Sequence, residues 1–369
     1  MKDTLRIDHL AEVKTVVPGI EINFSFSNME YLLYQKESPF QRQPIPIHNF
    51  PGDARIGSRH LLETLSRREA VPPENIFLSA GASMANYIIC ASLLEPGDEV
   101  LVESPVYEPL RKVPQNMGAS VRFFPREPAD YSVNVVRIDE SLSSRTRMIV
   151  LTDSHNPSGN QLSREVLDYL QSLARARGIH ILIDEVFSRF FRRQSLFVDY
   201  PEFIVTSSLS KFYGLGSLRV GWAFAPVAIV ERARDFNDFL VPELPFPSLY
   251  LAHLLLSAPQ IAEWEKRIAE RVRLNREIVS EYLNRTNFLT TYWPRHGTLF
   301  FPEFKDGIDP ERFYDVLRNK YKMLVTRGAL FQMPRHFRFA AIWSPEVMRE
   351  GLRRLEAALA ETAGRWPRS

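Results

Sequence analysis

TRMIVLTDSHNPSGNQLSREVLDYLQSLARARGIHILIDEV, residues 146–186, holds the pattern from which the architecture follows. The β-rich run TRMIVLTD leads into the Asn156-Pro157-Ser158-Gly159 cluster, a turn signal. Ser163 is placed to cap a helix in which Val166, Leu167, Leu170 and Leu173 share one face, and Arg175, Arg177 and Gly178 suit its end. The chain then reverses into a second strand, HILID. The same rhythm begins at Ile76: NIFLSAG is followed by a helical pattern over 82–94 and DEVLVESP by one over 106–117, and ASVRFFP, FIVTSS and RVGWAFAP complete the series. Such alternation predicts an α/β sheet with many parallel neighbours.

Beyond Pro247 the rhythm changes to long helices. The second of these is expected to open after Pro259, with Ile261, Trp264, Ile268 and Val272 on one apolar face. A second domain is expected to begin near there. The proline-rich stretch 39–51, PFQRQPIPIHNFP, predicts an extended connection.

With 369 residues, 45% of them hydrophobic and 12% aromatic, the chain can bury a large core and is too long for a small binding module. Forty-six basic residues against forty-four acidic ones leave a net charge of +2 without long runs of one sign, so nucleic acid is not an expected partner. Cys90 is the single cysteine, which excludes an intrachain disulfide framework and a cysteine-based zinc knuckle; no metal is expected. Residues 1–17 lack the apolar run of a signal peptide, and no membrane association is expected. The expectation is a soluble, cytoplasmic protein.

Four segments fall at the ends of predicted strands, where open α/β sheets collect their ligands. In SSLSKFYGLGSLRVGW, Lys211 follows a strand among small and hydroxyl residues, with Ser208 before it and Arg219 eight residues on as donors for an anion. In LIDEVF, Asp184 ends a strand. In LTDSHNPSGN, Asn156 points from a strand end toward the same crevice. In LSAGASMAN, small residues around Ala82 and Ser83 allow close approach to an anion at a helix start. Each also has an ordinary structural reading: a surface loop, a helix-capping acid, a turn, a tight connection.

Taken together and in order, GAS, SPVY, NPSG, DEVF and SLSK with an arginine eight residues after the lysine resemble the class I/II aminotransferases, the fold type I pyridoxal 5'-phosphate (PLP) enzymes. The resemblance is close over about residues 75–225 and looser elsewhere. It implies a large domain with a mostly parallel seven-stranded sheet, over residues 49–247, and a smaller α/β C-terminal domain, over 248–369, to which residues 1–48 contribute. It implies that Lys211 holds PLP as a Schiff base and shuttles the proton, that Asp184 partners the pyridine nitrogen, and that Asn156 donates to the ring's phenolic oxygen. Tyr107 stacks on the ring, and Ala82, Ser83, Ser208 and Arg219 form the phosphate cup. Arg338, in HFRFAAI, grips the substrate carboxylate, against the alternative of a solvated arginine on an edge strand. The implied reaction moves an amino group from an L-amino acid to a 2-oxo acid, in a homodimer.

The departures from the pattern bear on specificity. The family's DExY reads DEVF, so Phe187 lies beside the cofactor without a phenol, and the cofactor linkage is expected to titrate at higher pH than in relatives with the tyrosine. The partner-chain tyrosine is replaced by Phe50 in its neighbourhood, and a late Pro-Gly pair reads Arg327-Gly328. The competing reading is a PLP-dependent eliminase or cyclase of the same fold, similar to capreomycidine synthase. Phe24, Phe26, Tyr31 and Tyr34 suggest a neutral or aromatic amino acid, or else ordinary packing.

Overall fold

The computed structural model describes residues 6–15, 17–29 and 55–363. The proline-rich stretch 39–51, Phe50, Tyr31 and Tyr34 lie outside the described residues.

Seven strands form the main sheet: β1 (Ile76–Ser79), β2 (Glu99–Ser104), β3 (Ser120–Pro125), β4 (Thr146–Thr152), β5 (His180–Asp184), β6 (Ile204–Ser208) and β7 (Gly221–Phe224). Their order is β1-β7-β6-β5-β4-β2-β3. β7 runs antiparallel to both neighbours, and the remaining pairs are parallel. Strand residues alternate between two apolar layers. Ile149, Leu151, Ile181, Ile183 and Val205 face one, and Met148, Val150, Leu182 and Ile204 face the other. Helices cover both layers, which is why β4 and β5 are buried almost throughout rather than half polar, whereas the edge strand β3 is mostly exposed.

The helix between β4 and β5, α1 of the sheet's crossovers in the opening sequence, spans Arg164–Arg177. Ser163 accepts from the Val166 N–H, Gly178 closes the helix in the left-handed region at φ 64°, and its buried residues are Val166, Leu167, Leu170 and Leu173. Fully burying each of these contributes roughly 1.5–3 kcal/mol, so the face drawn from sequence spacing is the one that fastens the helix to the sheet.

Register sets the site. Thr152 pairs with Asp184 and Asp184 with Thr206, while Gly221 pairs with both Ser79 and Ser208. The ends of β1, β4, β5 and β6 and the start of β7 therefore lie side by side at one edge.

Helices Phe246–Ser257 and Ile261–Arg285 follow. Ile261, Trp264, Ile268 and Val272 pack into the same cluster as the main sheet, whereas Val279 and Tyr282 join a second cluster with the C-terminal elements. One helix thus spans two cores. In the C-terminal part, strand Phe337–Ala340 lies between Leu299–Phe300 and Thr326–Arg327. Ile22–Asn23 pairs with Met323–Leu324, joining the N-terminal segment to this part. Among the described residues no helix is long and apolar enough to cross a membrane.

Candidate active site

A cavity of about 380 Å³ opens at the aligned strand ends. Its lining includes Ala82, Ser83, Tyr107, Asn156, Asp184, Phe187, Ser208, Lys211, Arg219 and Arg338, so every site residue singled out in the sequence borders the same space.

At one end the chain is shaped for an anion. Gly81 precedes the helix Ala82–Leu93 with φ 87°, a conformation closed to most side chains, and no side chain caps the helix. The first N–H groups of the helix to donate are those of Met84 and Ala85, both to the Gly81 carbonyl, leaving the Ala82 and Ser83 amides without acceptors among the described residues. A Cβ on Gly81 would clash with the Arg219 guanidinium, whose Nη2 donates to the Ala80 carbonyl at 3.1 Å. A Cβ on Gly221 would come within 2.5 Å of the Gly81 carbonyl carbon, so this glycine lets β7 pass directly under the turn. Free amides, a helix N-terminus, a guanidinium and the hydroxyls of Ser83, Ser208 and Ser210 converge on one volume.

Asp184 is buried at the cavity floor. Its carboxylate accepts from the Val186 N–H at 3.1 Å and from Asn86 Nδ2 at 3.0 Å, and Asn86 is oriented in turn by Thr206, whose hydroxyl donates to Oδ1 at 2.7 Å. Burial pushes the carboxyl above its usual range, opposed by those two donors and by the charge of Lys211.

Lys211 Nζ donates to Ser27 Oγ and to Asn28 Oδ1, each at 2.9 Å, and lies 5.4 Å from the centre of the Phe187 ring. The Met29 N–H donates to the Lys211 carbonyl at 3.0 Å. Residues 25–29 therefore close over the lysine.

Arg338 is 3% exposed and sits on the central strand of its small sheet, not on an edge. It donates to Asn156 Oδ1 at 2.9 Å, to the Ser25 carbonyl at 2.9 Å and to Thr326 Oγ1 at 3.0 Å. Burial lowers it to about 10. With Oδ1 of Asn156 engaged, its Nδ2 is the end left to donate into the cavity.

The donor set fits PLP: an amine, a buried carboxylate, an amide donor, the Tyr107 ring and an anion cradle. The phenol of the usual pattern is missing, and Phe187 supplies only its apolar ring.

Sequence reading missed Asn86, Ser25, Ser27, Asn28 and His9, all of which touch or line the site. Asn86 carried a faint signal, an amide among the apolar residues of ASMANYIICASL. In INFSFSN, Phe24 is buried in the C-terminal core and Phe26 lines the cavity, while Ser27 and Asn28 reach the lysine and the Ser25 carbonyl reaches the arginine.

The family model of class I and II aminotransferases matches residues 57–355. The arginine–pyruvate transaminase of Pseudomonas aeruginosa is 29% identical over 84% of this chain and 80% of its own length. A probable aspartate/prephenate aminotransferase of Aquifex aeolicus is 26% identical over 78% and 77%. Among solved structures, a PLP-dependent aminotransferase from Streptococcus suis superposes with a TM-score of 0.81 at 23% identity, covering 97% of this chain and 98% of that one, which shows the fold.

Proposed function

Starting from the fact that this chain belongs to the class I and II aminotransferases, PLP-dependent enzymes of amino-group transfer, we propose which of its residues perform the reaction. When bound, PLP supplies an aldehyde that condenses with amines and a protonated ring that withdraws electrons from the substrate α-carbon. The Ala82 and Ser83 amides, Ser208 and Arg219 would hold its phosphate, Tyr107 would cover one face of its ring, and Lys211 would bind its aldehyde carbon as a Schiff base.

Arg338 then binds and orients the α-carboxylate of an L-amino acid or 2-oxo acid with its planar fork. Freed when the substrate amine takes its place on the cofactor, Lys211 Nζ would take the proton from the substrate α-carbon and deliver it to the cofactor carbon that carries the amino group after transfer. Asp184, ionised, keeps the proton on the ring nitrogen, and the hydrogen bonds from Asn86 and Val186 help it stay ionised despite burial. Asn156 would donate from Nδ2 to the ring's phenolic oxygen, while its Oδ1 accepts from Arg338. Residues 25–29 exclude water above the lysine.

The observation that supports this assignment best is the single cavity bordered by the Lys211 amine, the Asp184 carboxylate and the Arg338 guanidinium, brought from three separate stretches of chain. The test is to load the protein with PLP, record its visible spectrum, and add L-amino acids one at a time without a 2-oxo acid. Conversion to the pyridoxamine form with release of the matching 2-oxo acid is expected, and Lys211→Ala is expected to lose on the order of a thousandfold or more in rate. Ammonia, a cyclised product or a lost side-chain group would move the assignment to the eliminase or cyclase reading that Phe187 keeps open. A homodimer and a cytoplasmic location are part of the proposal; sedimentation at equilibrium checks the first.

A further inference from the structure

His9 sits in the wall of the catalytic cavity and makes no use of its ring chemistry. It lies on the short helix Asp8–Lys14, which is fastened down at two points: the His9 N–H donates to Glu108 Oε2 at 2.7 Å, and Lys112 Nζ donates to the Arg6 carbonyl at 2.8 Å. Glu108 directly follows Tyr107, so the helix is docked on the element that carries the ring-covering tyrosine.

The imidazole is 3% exposed. It meets the Tyr107 ring edge-on at 4.9 Å and the Phe331 ring at 5.3 Å. Phe331 in turn lies 5.4 Å from the Arg338 guanidinium carbon. His9 therefore packs between Tyr107 and Phe331, the ring on which the Arg338 guanidinium also rests, and His9 and Arg338 border the same cavity. Its ring has no hydrogen bond among the described residues, and Nδ1 is sealed from solvent without a partner; Nε of Arg338 is likewise buried and unpartnered. Buried polar groups are ordinarily satisfied, yet this ring in the cavity wall has no partner; with Nδ1 sealed, Nε2 is the nitrogen left to meet a ligand in the cavity. Burial and the charges of Arg338 and Lys211 push the imidazole down to about 2, so it offers one neutral N–H and one lone pair, and no competing charge.

We propose that His9 is a substrate-contacting residue whose imidazole N–H donates to the carboxylate of the amino acid or 2-oxo acid held at Arg338. This rests on the aminotransferase reading above. It makes His9 a second carboxylate donor, supplied by the N-terminal helix, and couples substrate affinity to the docking of that helix.

The test uses the PLP-loaded full chain and two variants. His9→Phe keeps an aromatic ring between Tyr107 and Phe331 but removes both nitrogens, while His9→Gln places an amide near Nε2 and gives up the ring. Pyruvate and 2-oxoglutarate, which bind the loaded enzyme without being aminated by it, are titrated calorimetrically, and KM and kcat are measured separately. His9→Phe is expected to keep the wild-type visible spectrum and melting temperature, to weaken binding of the 2-oxo acid roughly tenfold to a hundredfold, and to raise KM far more than it lowers kcat. His9→Gln is expected to recover most of that affinity. Wild-type-like affinity in His9→Phe would overturn the proposal and leave His9 as packing. So would equal weakening in both variants, because the ring rather than the N–H would then be what matters. A wild-type protein that neither binds nor aminates any 2-oxo acid would overturn the aminotransferase reading itself, and the proposal with it.

Discussion

The floor and the cover of the cavity are built by different means. On the floor, Asp184, Asn156 and Lys211 stand at or just beyond the ends of adjacent strands whose register is fixed by backbone hydrogen bonds and by two apolar layers. Over it, Ser25, Ser27, Asn28 and His9 come from the first 29 residues and hold their places through a few polar contacts to elements far along the chain. The floor is rigid because moving it would break the sheet. The cover can be altered locally without unfolding anything. Chemistry should therefore respond steeply to changes below, and affinity more gently to changes above.

The largest effect expected from this contrast, after loss of Lys211 itself, is at Asn86. Asn86→Ala removes one of the two hydrogen bonds that favour ionised Asp184 and leaves the Thr206 hydroxyl without its acceptor. Asp184 is already raised by burial, and removing a donor to the carboxylate raises it further, so the protonated, inactive form persists to higher pH. The acid limb of the kcat/KM profile is expected to move to higher pH, with activity at neutral pH down roughly tenfold to a hundredfold. An unmoved acid limb would separate Asn86 from the chemistry of the floor.

Phe187→Tyr comes next. The ring is buried beside Lys211, and the change introduces a phenol donor on the floor. The visible-spectrum titration of the loaded enzyme is expected to shift to lower pH by roughly one unit, because the new donor favours the deprotonated linkage. A shift to higher pH, or none, would mean that the phenol does not reach the cofactor's oxygen.

Ser27→Ala should be the mildest. It deletes one of the acceptors of Lys211 Nζ while Asn28 remains. A fall of roughly twofold to fivefold in kcat with unchanged PLP affinity is expected. A loss as large as that of Asn86→Ala would erase the distinction between floor and cover.

The same contrast explains what could be read in advance. Floor residues sit in short local patterns, because a strand end, a turn and a helix start occupy neighbouring positions in sequence: SLSK, DEVF, NPSG and GAS each hold a complete piece of geometry. The crossover helix was legible for the same reason, its cap, its apolar face and its left-handed glycine being set by spacing alone. Arg338 was legible only through resemblance, and the structure places it on a central strand with three protein acceptors. The cover was not legible. Nothing local to Ser27 or His9 announces a partner, since Lys211 lies 184 residues from Ser27 and Glu108 lies 99 residues from His9.

By itself, then, the sequence determined the alternation of strands and helices, the apolar faces, the turn glycines and the neighbourhood of Lys211, all features governed by interactions over a few residues. Tertiary structure alone decided that the strand ends line up in register, that Asn86 turns toward Asp184, that one long helix serves two cores, and that the N-terminal segment returns to close the site. Those outcomes depend on long-range packing and on satisfying buried polar groups, and neither leaves a periodic trace in the chain.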